Sequence, residues 1–203
     1  MKPFNRHCEE SRSSGMTKQS HTKSITGYIL AGGKSSRMGK DKRWLQKDGM
    51  TLLERSCNLV ESALGNKPII VGDNFDNDNY YDCEVIPDAA PNKGPLGGLV
   101  ASLKHCETTW VLILPVDMPD LSVSDLNMLI QAVEEDYDVI AFKSKRGIEP
   151  LAALYSAQNL DYWQMRLQAG ELSLKGGISQ LSLKTVIPTN ETSLSNLNAP
   201  EDL

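Results

Sequence analysis

Apolar positions along the chain follow two alternating periods. Short runs of consecutive apolar residues, the pattern of strands buried on both faces, are separated by stretches in which apolar residues return every third or fourth position, as on one face of a helix. The first run, Thr26 to Leu30, stops abruptly at turn-rich sequence. Leu53, Cys57, Val60 and Leu64 then recur at helical spacing behind Thr51, a suitable N-cap, so a helix is predicted over residues 52–64. Pro68-Ile-Ile-Val71 is the next strand and completes a βαβ unit, and Glu84-Val-Ile-Pro-Asp88 is a short strand with a carboxylate at its end. Gly94-Pro-Leu-Gly-Gly98 opens a helix whose apolar residues are Leu96, Leu99, Val100 and Leu103, with Pro95 where its missing N–H costs nothing. Trp110-Val-Leu-Ile-Leu114 has the strongest buried-strand pattern and is the predicted central strand.

The second half continues in the same manner. Ser122 and Asp125 form a capping box for the helix carrying Leu126, Leu129, Ile130 and Val133. Strands are predicted at Asp138–Phe142 and Leu151–Tyr155, joined by a turn over 143–147, then a helix over 158–169, a short helix through Leu174, Ile178 and Leu181, and a late strand over 184–187. Trp163 and Leu167 share a core-facing side of their helix, and Asn198-Ala-Pro200 reads as a further helix start. The class implied is α/β: a single-domain, Rossmann-like three-layer α/β/α fold with a mainly parallel sheet. Such sheets bind ligands beyond the carboxyl ends of their strands.

Composition narrows the partners. Two hundred and three residues suit one domain, with residues 25–203 forming it and the polar segment 1–24 a disordered leader, since it lacks the apolar stretch of a secretory signal. The net charge of −5 argues against nucleic acid, and no apolar run reaches the roughly 18 residues of a membrane span. Cys8, Cys57, Cys83 and Cys106 have neither disulfide-framework nor zinc spacing, which suits free thiols in a reducing cytoplasm. Of three histidines two lie in the leader, leaving His105, so the chemistry must rest on carboxylates, cations and a metal ion.

Against this acidic background one basic cluster stands out. Leu30-Ala-Gly-Gly-Lys-Ser-Ser-Arg-Met-Gly-Lys-Asp-Lys42 follows the first strand, with Gly32, Gly33 and Gly39 freeing the backbone to approach an anion and Lys34, Arg37, Lys40 and Lys42 supplying charge. It is not a P-loop, because five residues separate Gly33 from Gly39 and Asp41 follows Lys40 where Ser or Thr would hold magnesium; nor does it contain the dinucleotide fingerprint. Asp117, between Pro115 and Pro119 past the central strand, is placed to hold magnesium, which takes one or two protein carboxylates plus phosphate oxygens and water. Gly97 and Gly98, each costing about 1 kcal/mol in a first helical turn, imply that a ligand, another backbone or the sheet comes close. The polar stretch from Gly72 to Tyr81, with Asp73, Asp76 and Asp78, lacks the glycine and glutamate of a calcium loop and reads as solvated.

In order and spacing, LAGGKSSRMGKDK, GPLGG, PVDMPDL, EPLAALY and NLNAPEDL together resemble the nucleotidylyltransferases, a superfamily with the nucleotide-diphospho-sugar transferase fold. Within it the chain is most similar to the molybdenum cofactor guanylyltransferase family, the likeness spanning Thr26 to Leu203. The resemblance implies GMP transfer from GTP to the phosphate of molybdopterin, with or without molybdenum, and release of pyrophosphate. Arg37, Lys42 and Asp117 would be catalytic, with Mg2+ on Asp117; Leu30, Ala31, Gly32, Gly33, Lys42, Gly72, Asp88 and Asp117 would contact the nucleotide. Asp88 would accept from guanine's N1–H and amino group. The segment Gly147-Ile-Glu149-Pro150 would help shape the acceptor pocket, Lys143, Lys145 and Arg146 would stand near the acceptor or simply be solvated, and Asn196 and Asn198 would approach the metal and acceptor. Two departures are visible: Val116 where the family often has cysteine, and Gly72 where it often has asparagine, which leaves base contacts there to main chain or Asp73. Cofactor-biosynthesis proteins and apo-molybdoenzymes are the further partners implied. Two alternatives stay open: a cytidylyl- or sugar-phosphate transferase of the same fold, and a non-catalytic nucleotide-binding adaptor that delivers the cofactor.

Overall fold

A computed structural model of the chain describes residues 25–32, 41–73, 75 and 79–197. The expected leader, together with Gly33, Arg37, Asp76, Asp78 and Asn198, lies outside these. Strand β1 (Ile25–Leu30) leads to a 3-10 turn at Lys42–Trp44, a two-residue pair β2 (Gln46–Lys47) and β3 (Met50–Thr51), and helix α1 (Leu52–Leu64). Next come β4 (Ile69–Val71), β5 (Asn79–Tyr80), β6 (Cys83–Ile86), α2 (Pro95–His105), β7 (Trp110–Pro115) and α3 (Val123–Gln131). The chain continues through β8 (Val139–Ser144), β9 (Gly147–Ser156), α4 (Leu160–Ala169), α5 (Leu174–Ile178) and β10 (Leu183–Val186).

The main sheet has the order β10-β8-β9-β7-β1-β4-β6-β5. The pairs of β1 with β4 and β7, of β4 with β6 and of β10 with β8 are parallel, while β9 runs antiparallel to both neighbours. The mainly parallel α/β architecture is the one expected. From β1 the chain steps to β4 on one side and later returns through α2 to β7 on the other, so β1 and β7 flank the switch point where open α/β sheets bind ligands.

Alternation along the central strands builds the two outer layers. Trp110, Leu112 and Leu114 face the layer of α1 and α3, and Val111 and Ile113 face that of α2, α4 and α5. Every residue of β7 is buried, as its pattern required. Gly27 lets α1 lie directly on β1, since a Cβ there would collide with Val60. The helix caps follow local chemistry: Thr51 accepts from Glu54 N, and Ser122 and Asp125 complete their reciprocal box.

Four details depart from the expected pattern. The β2–β3 hairpin was not anticipated, although Asp48-Gly49 is its signal; their φ values of 53° and 81° suit a two-residue turn with both central residues left-handed. Strand β9 begins at Gly147, not at Leu151, because a bulge lets the strand resume pairing with β8 beyond Pro150. The stretch after β4 is not wholly solvated: Phe75 and Tyr80 pack on Trp44, with ring centroids 6.4 and 5.6 Å away, and the Arg43 guanidinium lies 4.3 Å from the centre of the Phe75 ring. A final 3-10 turn at Glu191–Leu194 was likewise not anticipated.

Candidate active site

The carboxyl ends of β1, β4 and β6 stand side by side because their main chains continue to bond past the strands. Ala31 N donates to Val71 O at 2.8 Å, and Gly72 N to Ile86 O at 3.0 Å. Leu30 is half-buried, Ala31 buried and Gly32 exposed, so the chain emerges onto the surface at the first glycine. Gly72 presses on this edge: a Cβ there would stand 3.0 Å from both the Ala31 carbonyl carbon and Gly32 N. Asp88 reaches the same place from beyond β6. Its Oδ1 accepts from Ala90 N at 2.7 Å, and its Oδ2 faces Gly32, 3.7 Å from where a Cβ would be.

The two glycines at the start of α2 are explained by protein atoms. A Cβ on Gly97 would land on the Asp88 carboxylate and 2.9 Å from Ala90 O, while one on Gly98 would come 2.8 Å from Leu30 Cδ2. Of the approaches the sequence allowed, main chain and the sheet are present, and the Asp88 side chain, which was not anticipated, stands nearest to Gly97. Burial pushes the Asp88 carboxyl above the usual carboxylate range; the Ala90 N–H opposes this and the charge of Asp73 adds to it.

Across the switch point, Lys42 and Asp117 meet. Lys42 Nζ donates to Asp117 Oδ2 at 3.0 Å and to Leu197 O at 2.6 Å, and Leu197 N donates to Asp117 O at 2.8 Å. The last described segment of the chain is thereby drawn over the end of β7. The turn carrying Lys42 is held by its neighbour: Asp41 accepts from Arg43 N and Nε, and Arg43 Nη1 donates to Asp73 O at 3.1 Å. Burial raises the Asp41 carboxyl, but its hydrogen bonds and charge contact with Arg43 prevail and hold it below the usual range.

Asp41, Arg43 and the Leu197 carbonyl were not singled out from the sequence. Glu149, expected only as part of the segment before a strand that the resemblance puts at the acceptor pocket, is half-buried on β9, and its Oε1 accepts from Leu151 N at 3.2 Å. Burial raises its carboxyl; the Leu151 N–H and Lys175 oppose the rise and the charge of Asp117 adds to it. Asp41-x-Arg43 had a readable cue in its capping geometry, whereas Leu197 reaches Lys42 and Asp117 only through tertiary contacts. Of the acceptor-side cations named above, Lys145 pairs with Glu191 at 3.3 Å on the exposed β8–β9 turn. Asn196 lies half-buried next to Leu197.

The donor set can be tested against magnesium. Among the described residues no group of three His, Cys, Asp or Glu side chains is placed to hold a metal. A single carboxylate past the end of a central strand fits a hard cation whose other positions would be filled by phosphate oxygens and water. No described helix is long and apolar enough to cross a membrane.

Comparison with known proteins settles the lineage. Residues 27–181 match the model of the MobA-like NTP transferase domain. The chain belongs to that family. It is 31% identical to a molybdenum cofactor guanylyltransferase of Polynucleobacter asymbioticus, over 88% of this chain and 94% of that one. With a molybdenum cofactor guanylyltransferase of Desulfosudis oleivorans the identity is 28%, over 88% and 92%. Among solved structures, the molybdopterin-guanine dinucleotide biosynthesis protein A of Archaeoglobus fulgidus superposes with a TM-score of 0.70 at 19% identity, covering 87% of this chain and 94% of that one. That likeness speaks for the fold of the MobA-like transferases, and the sequence relatives for the family.

Proposed function

We propose that this MobA-like transferase moves GMP from GTP onto the phosphate of molybdopterin, forming the guanine dinucleotide of the cofactor and releasing pyrophosphate. The relatives named as guanylyltransferases support this reading, and the observation that carries it is the meeting of Lys42 and Asp117 beyond β1 and β7. An acceptor phosphate is already anionic, so no base is needed to make the nucleophile. Its oxygen attacks the α-phosphorus, the bond from that phosphorus to the β-phosphate oxygen breaks, and pyrophosphate departs. What the protein supplies is alignment of two anions and relief of the charge that gathers between them.

Each side chain then has a task. Lys42 and Arg37 neutralise the triphosphate and leaving pyrophosphate, with the main chain of Gly32 and Gly33 around the phosphates. Asp117 would hold magnesium, which supplies charge neutralisation at the phosphate oxygens. Leu30, Ala31 and Gly72 border the base. Asp88 accepts from guanine N1–H and the amino group through Oδ2 and the remaining lone pair of Oδ1, a donor pair that cytosine and adenine do not offer. The test is pyrophosphate release from each of the four triphosphates, with and without molybdopterin. Release from GTP with molybdopterin is expected; release from CTP would move the chain to a cytidylyl reading, and tight GTP binding with no release under any acceptor would leave a delivery adaptor.

A further inference from the structure

Arg43 follows Lys42 in the 3-10 turn, yet it is only 9% exposed. A buried charge is costly unless it is paired and hydrogen-bonded, and here the partners are protein atoms. Nε donates to both Asp41 oxygens, at 2.9 and 2.8 Å, and Nη2 donates to Asp41 Oδ2 as well. Nη1 donates across to Asp73 O at 3.1 Å. The guanidinium lies over the Phe75 ring, 4.3 Å from its centre, and 5.7 Å from the centre of the Trp44 ring. Phe75 also meets Tyr80 edge-on, with centroids 5.0 Å apart, so the stacking partner is itself packed.

Both ends of this arrangement border the site. Asp41 and Arg43 flank Lys42, and the turn is closed by Trp44 N to Asp41 O and Leu45 N to Lys42 O, each at 3.2 Å. Leu45 O accepts from Leu52 N at 2.9 Å, which ties the turn to the start of α1. At the other end, Asp73 follows Gly72, the residue that presses on Ala31 and Gly32. The Arg43 guanidinium therefore stands as a strut between the turn that carries Lys42 and the edge assigned to the base. A lysine is a point charge on a flexible four-carbon stem, so the reach of its ammonium depends on where its main chain is held. We propose that Arg43 is a positioning residue: by bracing the turn on Asp73 and Phe75, it sets the distance of Lys42 from the base edge and aligns the ammonium with the triphosphate. The inference rests on the guanylyltransferase reading, and it gives Arg43 a geometric task in place of a phosphate contact.

The test follows pyrophosphate release from GTP and molybdopterin by the full chain carrying Arg43→Ala, Arg43→Lys, or Arg43→Ala together with Lys42→Ala. In both single variants kcat is expected to fall about tenfold or more, the scale of a small misplacement of a reacting group, with a much smaller change in the KM for GTP. Lysine keeps the charge but has neither the planar fork nor the stacking face, so Arg43→Lys does not restore the rate. On top of Lys42→Ala, loss of Arg43 should lower the residual kcat by about twofold at most, because its effect passes through Lys42. A purely structural role would instead lower the melting temperature and leave the kcat of the folded variant intact. That result, a normal rate in Arg43→Lys, or a full additional fall in the double variant overturns the inference. If Arg43→Ala does not fold, Arg43→Lys alone and combined with Lys42→Ala decides by the same criteria. A wild-type chain that releases no pyrophosphate with molybdopterin refutes the function and this assignment together; an active wild type with a normal Arg43→Ala refutes the assignment alone.

Discussion

Lys42 holds Asp117 and the Leu197 carbonyl at once, so its ammonium joins the start of the domain, its central strand and its last described segment. Lys42→Ala removes both bonds and a cation from the proposed phosphate site, and turnover is expected to fall about 100-fold or more, the scale for losing one charge-stabilising donor. Asp117→Ala should be as damaging, and circular dichroism should find both variants folded; near-normal turnover in either would refute its role. Asp88 gives a pH signature. Its carboxyl is raised by burial, and the base needs the charged form, so GTP affinity should fall on acidification from above the usual carboxylate range. Asp88→Asn should flatten that fall and weaken discrimination between GTP and the other triphosphates, which binding titrations across pH would reveal. The placement of Asp117 and Asp88 past strand ends was legible because each follows a short apolar run. The Leu197 carbonyl was not, since nothing local marks a main-chain oxygen for a partner 155 residues away.

At the scale of elements, Gly97 and Gly98 set how closely α2 approaches Asp88 and Leu30, and a bulge interrupts the β8–β9 ladder. Gly97→Ala would gain helix propensity but place a methyl on the Asp88 carboxylate and 2.9 Å from a backbone oxygen that cannot easily yield. The steric cost, about 1–3 kcal/mol, should outweigh the gain, lowering the melting temperature and weakening GTP binding further than Gly98→Ala, whose neighbour is the end of the Leu30 side chain. The buried Tyr155 hydroxyl donates to Pro150 O at 2.6 Å, so Tyr155→Phe should cost about 1 kcal/mol and loosen the β9 bulge, seen as faster amide exchange at Leu151. Helices α1, α2 and α3 were readable from apolar spacing and caps because local chemistry alone specifies them. The bulge was not: Glu149-Pro150 reads locally as the approach to a strand, and only pairing with β8 and β7 makes it part of one. The β2–β3 hairpin lay in plain view at Asp48-Gly49, but its flanking strands are too short to register as alternation.

For the whole molecule, the order of strands sets which residues stand together past their ends. Parallel strands β1, β4 and β6 lead into Gly32, Gly72 and the Asp88 carboxylate, and Asp117 follows β7, their neighbour on the other side of β1. A sequence reading reached the mainly parallel sheet because alternating periods require crossover helices, but not the reversal of β9, which depends on non-local pairing. The proposed transfer is open to one direct assay: pyrophosphate release from GTP, CTP, ATP and UTP in magnesium, each with and without molybdopterin. Release confined to GTP with molybdopterin, and lost in Lys42→Ala and Asp117→Ala, is the expected result. Release that is indifferent to the base, or that persists at the wild-type rate without Asp117, would contradict a guanylyl transfer centred on the end of β7.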